Sequence, residues 1–303
     1  MGWGIPVRLR HRLCRPPRRA CANAPTMKLY ISCDMEGTAG VCSWEQCDPN
    51  NASEYPIYRR LMSREVRAAI DGARAAEPCE VLVNDAHSRM HNLLFDELPD
   101  DVRVLSGYRK ALSMVQGADE GFDGAFFTGY HAGIGVERAV LAHTYSPNVL
   151  YGVRIDGMEC DETLLNAAYL GEFGVPVLLV SGDEALCVST RKHLPWVRCA
   201  QVKRSTDYYS ADSLTPGAAL ALIAETAREA VWHRAEARPF RFDGSVTLEI
   251  EAASVECADY MALIPGFTRP SGRSLRFQAP RYILAFQALI AAMRIGRAAA
   301  DRA

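Results

Sequence analysis

Short apolar runs punctuate the chain after residue 27, and each tends to end abruptly in polar residues. The clearest is Lys28-Leu29-Tyr30-Ile31-Ser32-Cys33, which passes directly into Asp34-Met35-Glu36-Gly37. A run of this length bounded by polar residues predicts a buried β-strand. Glu80-Val81-Leu82-Val83-Asn84 predicts a second strand ending in Asp85-Ala86-His87, and residues 102–106 a third. Residues 124–128 predict a fourth, ending in Gly129-Tyr130-His131, and Ala139-Val140-Leu141-Ala142 a fifth, ending in His143. Between the first two, residues 57–76 change period: Leu61, Val66, Ala69, Ile70 and Ala73 recur at helical spacing, and Pro78 closes the pattern.

Residues 149–158 predict a hairpin with Asp156-Gly157 at its turn. Asp161 is placed to cap the helix that follows, with Glu162 in its first turn. A buried strand at 175–182, a helix to Lys192 and a strand at 199–202 continue the alternation. Strands alternating with helices predict an α/β fold with a mostly parallel, doubly wound sheet. From about Thr215 the pattern shifts to an Ala-rich helix, strands at 245–250 and 274–278, and a helix over 280–297. This predicts a second, smaller α/β domain. The expected organisation is residues 1–26 as an extension, 27–212 as the core and 213–303 as the smaller domain.

Residues 1–26 stand apart, with six arginines, four prolines and no acidic residue or serine. They lack the apolar run of a secretory signal and the serines of a transit peptide, and Pro6 occupies the position where a myristoylation signal wants Ser or Thr. The expectation is a disordered tail, or an upstream start with the working protein beginning at Met27. A net charge of -2 over 303 residues provides no field for nucleic acid or an anionic membrane. No continuous apolar run reads as a membrane span, and the chain is expected to be soluble. The ten cysteines are scattered without a CxxC pair, which favours a reducing cytoplasm over a disulfide scaffold. Cys42 and Cys47, five apart in a polar loop, are the one pair to examine for zinc.

The chemistry is concentrated at the ends of the predicted elements. Asp34 and Glu36, two residues apart, can project from the same side of a strand end, where α/β sheets bind ligands. With His87, His131, His143 and Glu162 they form a carboxylate and imidazole inventory suited to zinc, manganese or another divalent ion, and an aspartate can bridge two ions. Taken singly, each has an ordinary structural explanation: a histidine hydrogen-bonded at a strand end, or Glu162 complementing a helix dipole. Six at equivalent ends point to a metal site and to hydrolysis.

Two tempting motifs fail. His87-Ser88-Arg89-Met90-His91 has zincin spacing, but Ser88 stands where the general base Glu is required, so His91 is assigned to the surface. The Gly37-Thr38-Ala39-Gly40 stretch has neither nucleotide-binding spacing, and Asp34 and Glu36 would repel a phosphate.

Ser32 to Gly37 (SCDMEG), Val83 to Leu93 (VNDAHSRMHNL), Gly129 to Ala132 (GYHA), His143 and Gly157 to Ala167 (GMECDETLLNA) resemble, in order, the D-aminopeptidase family of dinuclear zinc metallopeptidases. The resemblance runs from Met27 to near the C-terminus and is densest before about Asp183. It implies two zinc ions per subunit held by Asp34, Glu36, His87, His131 and Glu162, with Asp34 as the bridge and His143 as the catalytic histidine. It also implies a ring-shaped homo-oligomer, a decamer in the best-known case, acting on short peptides and amides such as D-Ala-D-Ala. The extension before Met27 and His91, where the family pattern has Asn, are departures. The residues alone leave open a dinuclear hydrolase of other amides, esters or phosphates, or a binding protein without turnover. They do not encode the D preference, which only the resemblance supplies.

Overall fold

The computed structural model describes residues 26–300, and the expectations for residues 1–25, Cys14 and Cys21 included, lie outside them. The chain begins β1 (Met27–Cys33), α1 (Trp44–Cys47), α2 (Tyr55–Ala76), β2 (Cys79–Asp85), β3 (Arg103–Leu105) and β4 (Gly124–Tyr130). It continues through β5 (Leu150–Ile155), β6 (Met158–Glu159), α3 (Glu162–Glu172), β7 (Val177–Asp183), α4 (Glu184–His193), β8 (Arg198–Asp207) and β9 (Ser210–Ser213). The last part is α5 (Pro216–Trp232), β10 (Val246–Ala252), α6 (Val255–Met261), β11 (Phe267–Thr268), β12 (Ser274–Ala279) and α7 (Tyr282–Ala300).

Seven strands form the main sheet in the order β3-β2-β1-β4-β7-β8-β9, all pairs parallel except β8 with β9. The mostly parallel, doubly wound α/β fold is therefore present. Parallel strands buried on both faces need apolar residues at nearly every position, and β1, β4 and β7 supply them. Leu29, Ile31 and Cys33 of β1 join the core under α2 and α5, while Tyr30 between them joins the core on the opposite face. Each such apolar side chain contributes about 1.5–3 kcal/mol on full burial.

The chain leaves β1 for β2 and β3 on one side, then returns to place β4 on the other. This reversal beside β1 is a topological switch point, the place where α/β sheets open a crevice at their carboxyl ends. Cys33 is level with Asp85 in β2 and with Thr128 in β4, so the residues that follow all three strands emerge together.

The second sheet is antiparallel, in the order β11-β12-β10-β5-β6. The predicted hairpin is β5 and β6, and Asp156 and Gly157 turn between them with φ of 51° and 81°, the left-handed pair of a type I′ turn. The hairpin pairs with β10, so the small sheet draws strands from both sides of residue 212. Conversely α5, beyond 212, packs on α2 over the main sheet. α7 is long and apolar enough by length and composition to cross a membrane, although Gln287, Arg294 and Arg297 interrupt its apolar run, and half of it is buried, through residues such as Phe286 and Leu289, against α3, α6 and the small sheet.

One predicted strand is absent. Residues 139–142 belong to neither sheet; Arg138 and Leu141 adopt φ of 53° and 52°, which breaks an extended run. The segment is buried all the same, because the Val140 N–H donates to Ser205 Oγ at 2.8 Å and the Leu141 N–H to the Tyr208 carbonyl at 3.0 Å. Its apolar residues cover the end of β8 instead of pairing in a ladder.

Two glycines bring the strand ends into contact. The Gly37 N–H donates to the Gly129 carbonyl at 2.8 Å, and a Cβ on Gly37 would lie 1.7 Å from the Tyr130 carbonyl oxygen. Gly129 has φ +67°, and a Cβ there would lie 2.2 Å from the Asp34 carbonyl oxygen. Both contacts are with backbone, which cannot swing aside. Gly37→Ala is therefore expected to destabilise the fold by about 1–3 kcal/mol or more, seen as a lower urea midpoint, and to weaken metal retention.

Candidate metal centre

Asp34 and Glu36 follow β1, His87 follows β2, His131 follows β4, and Glu162 opens α3, where Asp161 caps the helix by accepting the Leu164 N–H at 2.8 Å. His143 arrives on the loop after residues 139–142. The structure brings all six together, and all are buried.

Asp34 is at the centre. Its Oδ1 lies 3.2 Å from His87 Nδ1, and its Oδ2 lies 3.4 Å from His131 Nε2. The two oxygens of one carboxylate thus face two different clusters. On one side Glu36 Oε2 lies 3.0 Å from His87 Nδ1. On the other, Glu162 Oε2 lies 3.6 Å from His131 Nε2. The ligand-type atoms of His131, His143 and Glu162 lie within 4.8 Å of one another, as do those of Asp34, Glu36 and His131.

The outer nitrogen of each imidazole is bound to a backbone carbonyl. His87 Nε2–H donates to the Cys47 carbonyl at 2.9 Å, His131 Nδ1–H to the Ala132 carbonyl at 2.9 Å, and His143 Nδ1–H to the Leu141 carbonyl at 2.8 Å. A carbonyl accepts only, so the outer nitrogen of each ring carries the donated proton and the inner nitrogen faces the site, where it can serve as a metal ligand. The chemistry of the donor set fits a divalent ion. His131 Nε2 and Glu162 Oε2 are buried atoms with no hydrogen-bond partner, and they face each other across a gap an ion would span.

The electrostatics agree. At His87 and His131 burial disfavours the charged form, but Glu36 and Asp34 hold His87 well above the usual histidine range, and Glu162 and Asp34 raise His131 to about 10. Burial likewise disfavours ionised Asp34, yet the neighbouring His131 and His87 hold it well below the usual carboxylate range. Burial raises Glu162 to about 8 against the pull of His131. The pocket is a negative field that draws positive charge. His143 behaves oppositely: burial, then the like charge of His131, lowers it to about 4, leaving a neutral imidazole. Its ring stacks on His131 at 4.2 Å between centroids, and the edge of Trp44 contacts it at 5.2 Å.

Several positioning groups have no signature in the linear sequence. Lys203, buried in β8, donates through Nζ to the Glu36 carbonyl, to the Thr38 carbonyl at 3.1 Å and to the Val41 carbonyl at 2.7 Å, fixing the loop that carries Glu36. Asp85 accepts the N–H groups of Asn92 and Leu93 at 2.5 and 2.8 Å, and Asn92 Nδ2 donates to the His87 carbonyl at 2.7 Å. The Tyr145 N–H donates to Glu162 Oε1 at 2.5 Å, leaving Oε2 for the site. His91 is exposed, as its sequence context implies. The cluster opens into a cavity of about 380 Å³ whose wall includes Trp44, Met114, Tyr145 and Arg109.

An α/β sheet whose switch point gathers buried carboxylates and histidines around Asp34 has the arrangement of a metal-dependent hydrolase. The model of the D-aminopeptidase family of peptidases matches residues 27–291, and the chain belongs to that family. A D-aminopeptidase of Bacillus subtilis (strain 168) is 34% identical over 268 residues, which span 87% of this chain and 96% of that protein. The solved structure described as the Zn-dependent D-aminopeptidase DppA from Bacillus subtilis, a self-compartmentalizing protease, superposes with a TM-score of 0.86 at 32% identity. It covers 89% of this chain and 98% of that one.

Proposed function

We propose that the chain is a zinc-dependent aminopeptidase that removes an N-terminal D-amino acid from short peptides or amides such as D-Ala-D-Ala, with Asp34, Glu36, His87, His131 and Glu162 as ligands of two zinc ions. The observation that carries the reading is the division of Asp34 between His87 on one side and His131 on the other, with Glu36 and Glu162 completing the two halves. The preference for a D-residue rests on the family, whose description it is.

Zinc held there supplies Lewis acidity towards the scissile carbonyl and makes hydroxide accessible near neutral pH. The chain's own groups do the rest. Asp34 ties the two halves into one rigid unit, and the carbonyls of Cys47 and Ala132 lock the rings of His87 and His131. His143, neutral and held by the Leu141 carbonyl and Trp44, has its inner nitrogen free to carry a proton to the leaving amine or to stabilise developing negative charge on the carbonyl oxygen.

The self-compartmentalizing description of DppA supports a homo-oligomer here, and a decamer of stacked rings is the form we propose. Exposed Leu263 and Val255, on and just after α6, supply apolar surface for such contacts. A cytoplasmic setting is supported by the eight described cysteines, all free.

The test is release of D-Ala from D-Ala-D-Ala by the full chain, beside the L,L dipeptide, with and without chelator and added zinc. Chelator-sensitive cleavage favouring the D,D form is the expected result. Protein that retains its metal yet leaves both dipeptides intact would sink the proposed substrate class.

A further inference from the structure

Of the Cys42 and Cys47 pair that stands out in the sequence, only Cys47 reaches the centre. Its sulfur and the ligand-type atoms of Glu36 and His87 all lie within 4.8 Å of one another, and all three residues are buried. None of the other seven described cysteines belongs to such a group. We infer that the Cys47 thiol is a further metal ligand, a soft donor on the Glu36 and His87 side that biases this half of the centre towards a thiophilic ion such as zinc. The inference rests on the metal centre proposed above and deepens it.

One observation independent of the sulfur points to an ion at this place. With its Nε2 proton given to the Cys47 carbonyl, His87 turns Nδ1 towards Asp34 Oδ1 at 3.2 Å and Glu36 Oε2 at 3.0 Å, so that two buried carboxylates and an imidazole nitrogen converge on one point. Cys47 is also held in place. Gln46 Oε1 accepts the N–H groups of Cys42 at 2.7 Å and Ser43 at 3.0 Å, closing the turn that leads into α1, and Cys47 ends that helix facing the cavity. One residue thus orients His87 through its carbonyl and presents its sulfur to the ion that His87 would bind.

Thiolate is a good ligand for zinc and a poor one for manganese or magnesium, so this donor sets metal preference and not only affinity. On binding, the S–H bond breaks, its proton passes to solvent and the S–metal bond forms, with no change of oxidation state.

The full chain loaded with cobalt(II) provides the test. A thiolate-to-cobalt charge-transfer band in the near ultraviolet is expected, accompanied by the visible bands of the bound ions. Cys47→Ser should lose the near-ultraviolet band and keep the visible ones, while Cys42→Ser should keep both. Zinc affinity in Cys47→Ser should fall by about tenfold or more, since loss of even an outer-shell partner costs that much, and manganese affinity should change less. Two bound cobalt ions without the band, or a band that survives Cys47→Ser, would overturn the assignment of Cys47 and leave the centre standing. Failure to bind cobalt at all would overturn both.

Discussion

Asp34→Asn is expected to strip metal from both halves of the centre and abolish turnover. The substitution keeps the volume of a buried side chain and removes only the charge and one acceptor, so the fold should survive. Asp34 Oδ1 faces the His87 side and Oδ2 the His131 side, so one carboxylate is divided between the two. Loss of an outer-shell partner alone lowers metal affinity 10–100-fold, and loss of a shared ligand should cost at least about 100-fold in each half. Metal content after dialysis and hydrolysis of D-Ala-D-Ala are the measurements. Glu162→Gln is the informative companion, since Glu162 faces the His131 side, where His143 also lies, and its loss should spare the Glu36 and His87 half. Retention of both ions and of activity in Asp34→Asn would show that the bridge has been misplaced.

His143→Ala should separate chemistry from metal binding. Turnover is expected to fall by about 10²–10⁴, the range for loss of a general acid or base, equivalent to about 3–5 kcal/mol of barrier, with metal content unchanged. His143→Phe keeps a ring between His131 and Trp44 and should show the same loss, so packing cannot account for it. The competing outcome is well defined: the ligand-type atom of His143 is within 4.8 Å of those of His131 and Glu162. If either variant releases metal from that half, His143 is a ligand.

How much of this was legible in the chain depended on the range of the interactions. Asp34, Glu36, His87 and His131 could be read because each follows a buried parallel strand, whose continuous apolar run is visible and whose end is marked by the change to polar residues. Glu162 could be read because the Asp156-Gly157 turn and the Asp161 cap bracket the start of its helix. Residues 139–142 had the composition of a strand and form none, because apolar content reports burial and their hydrogen bonds go to Ser205 and Tyr208 rather than to a neighbouring ladder. Lys203 was illegible: in Ala200-Gln201-Val202-Lys203-Arg204 it looks like an ordinary outward-facing lysine, and only the fold brings it beneath Glu36. The pairing of β5 with β10 was equally hidden, since nothing local in a hairpin identifies a partner strand so far along the chain.

That distant pairing sets an order of events during synthesis. Asp34, Glu36, Cys47 and His87 all precede residue 88, and the strands that present them pair with one another locally. Glu162 comes later, beyond β5, whose partner β10 emerges from the ribosome later still. Contacts between distant segments form late because the intervening chain must first be closed into a loop. The Glu36 half of the centre therefore has its donors on a nascent chain whose Glu162 half does not yet exist, but the loop that carries Glu36 is fixed only when Lys203 of β8 arrives.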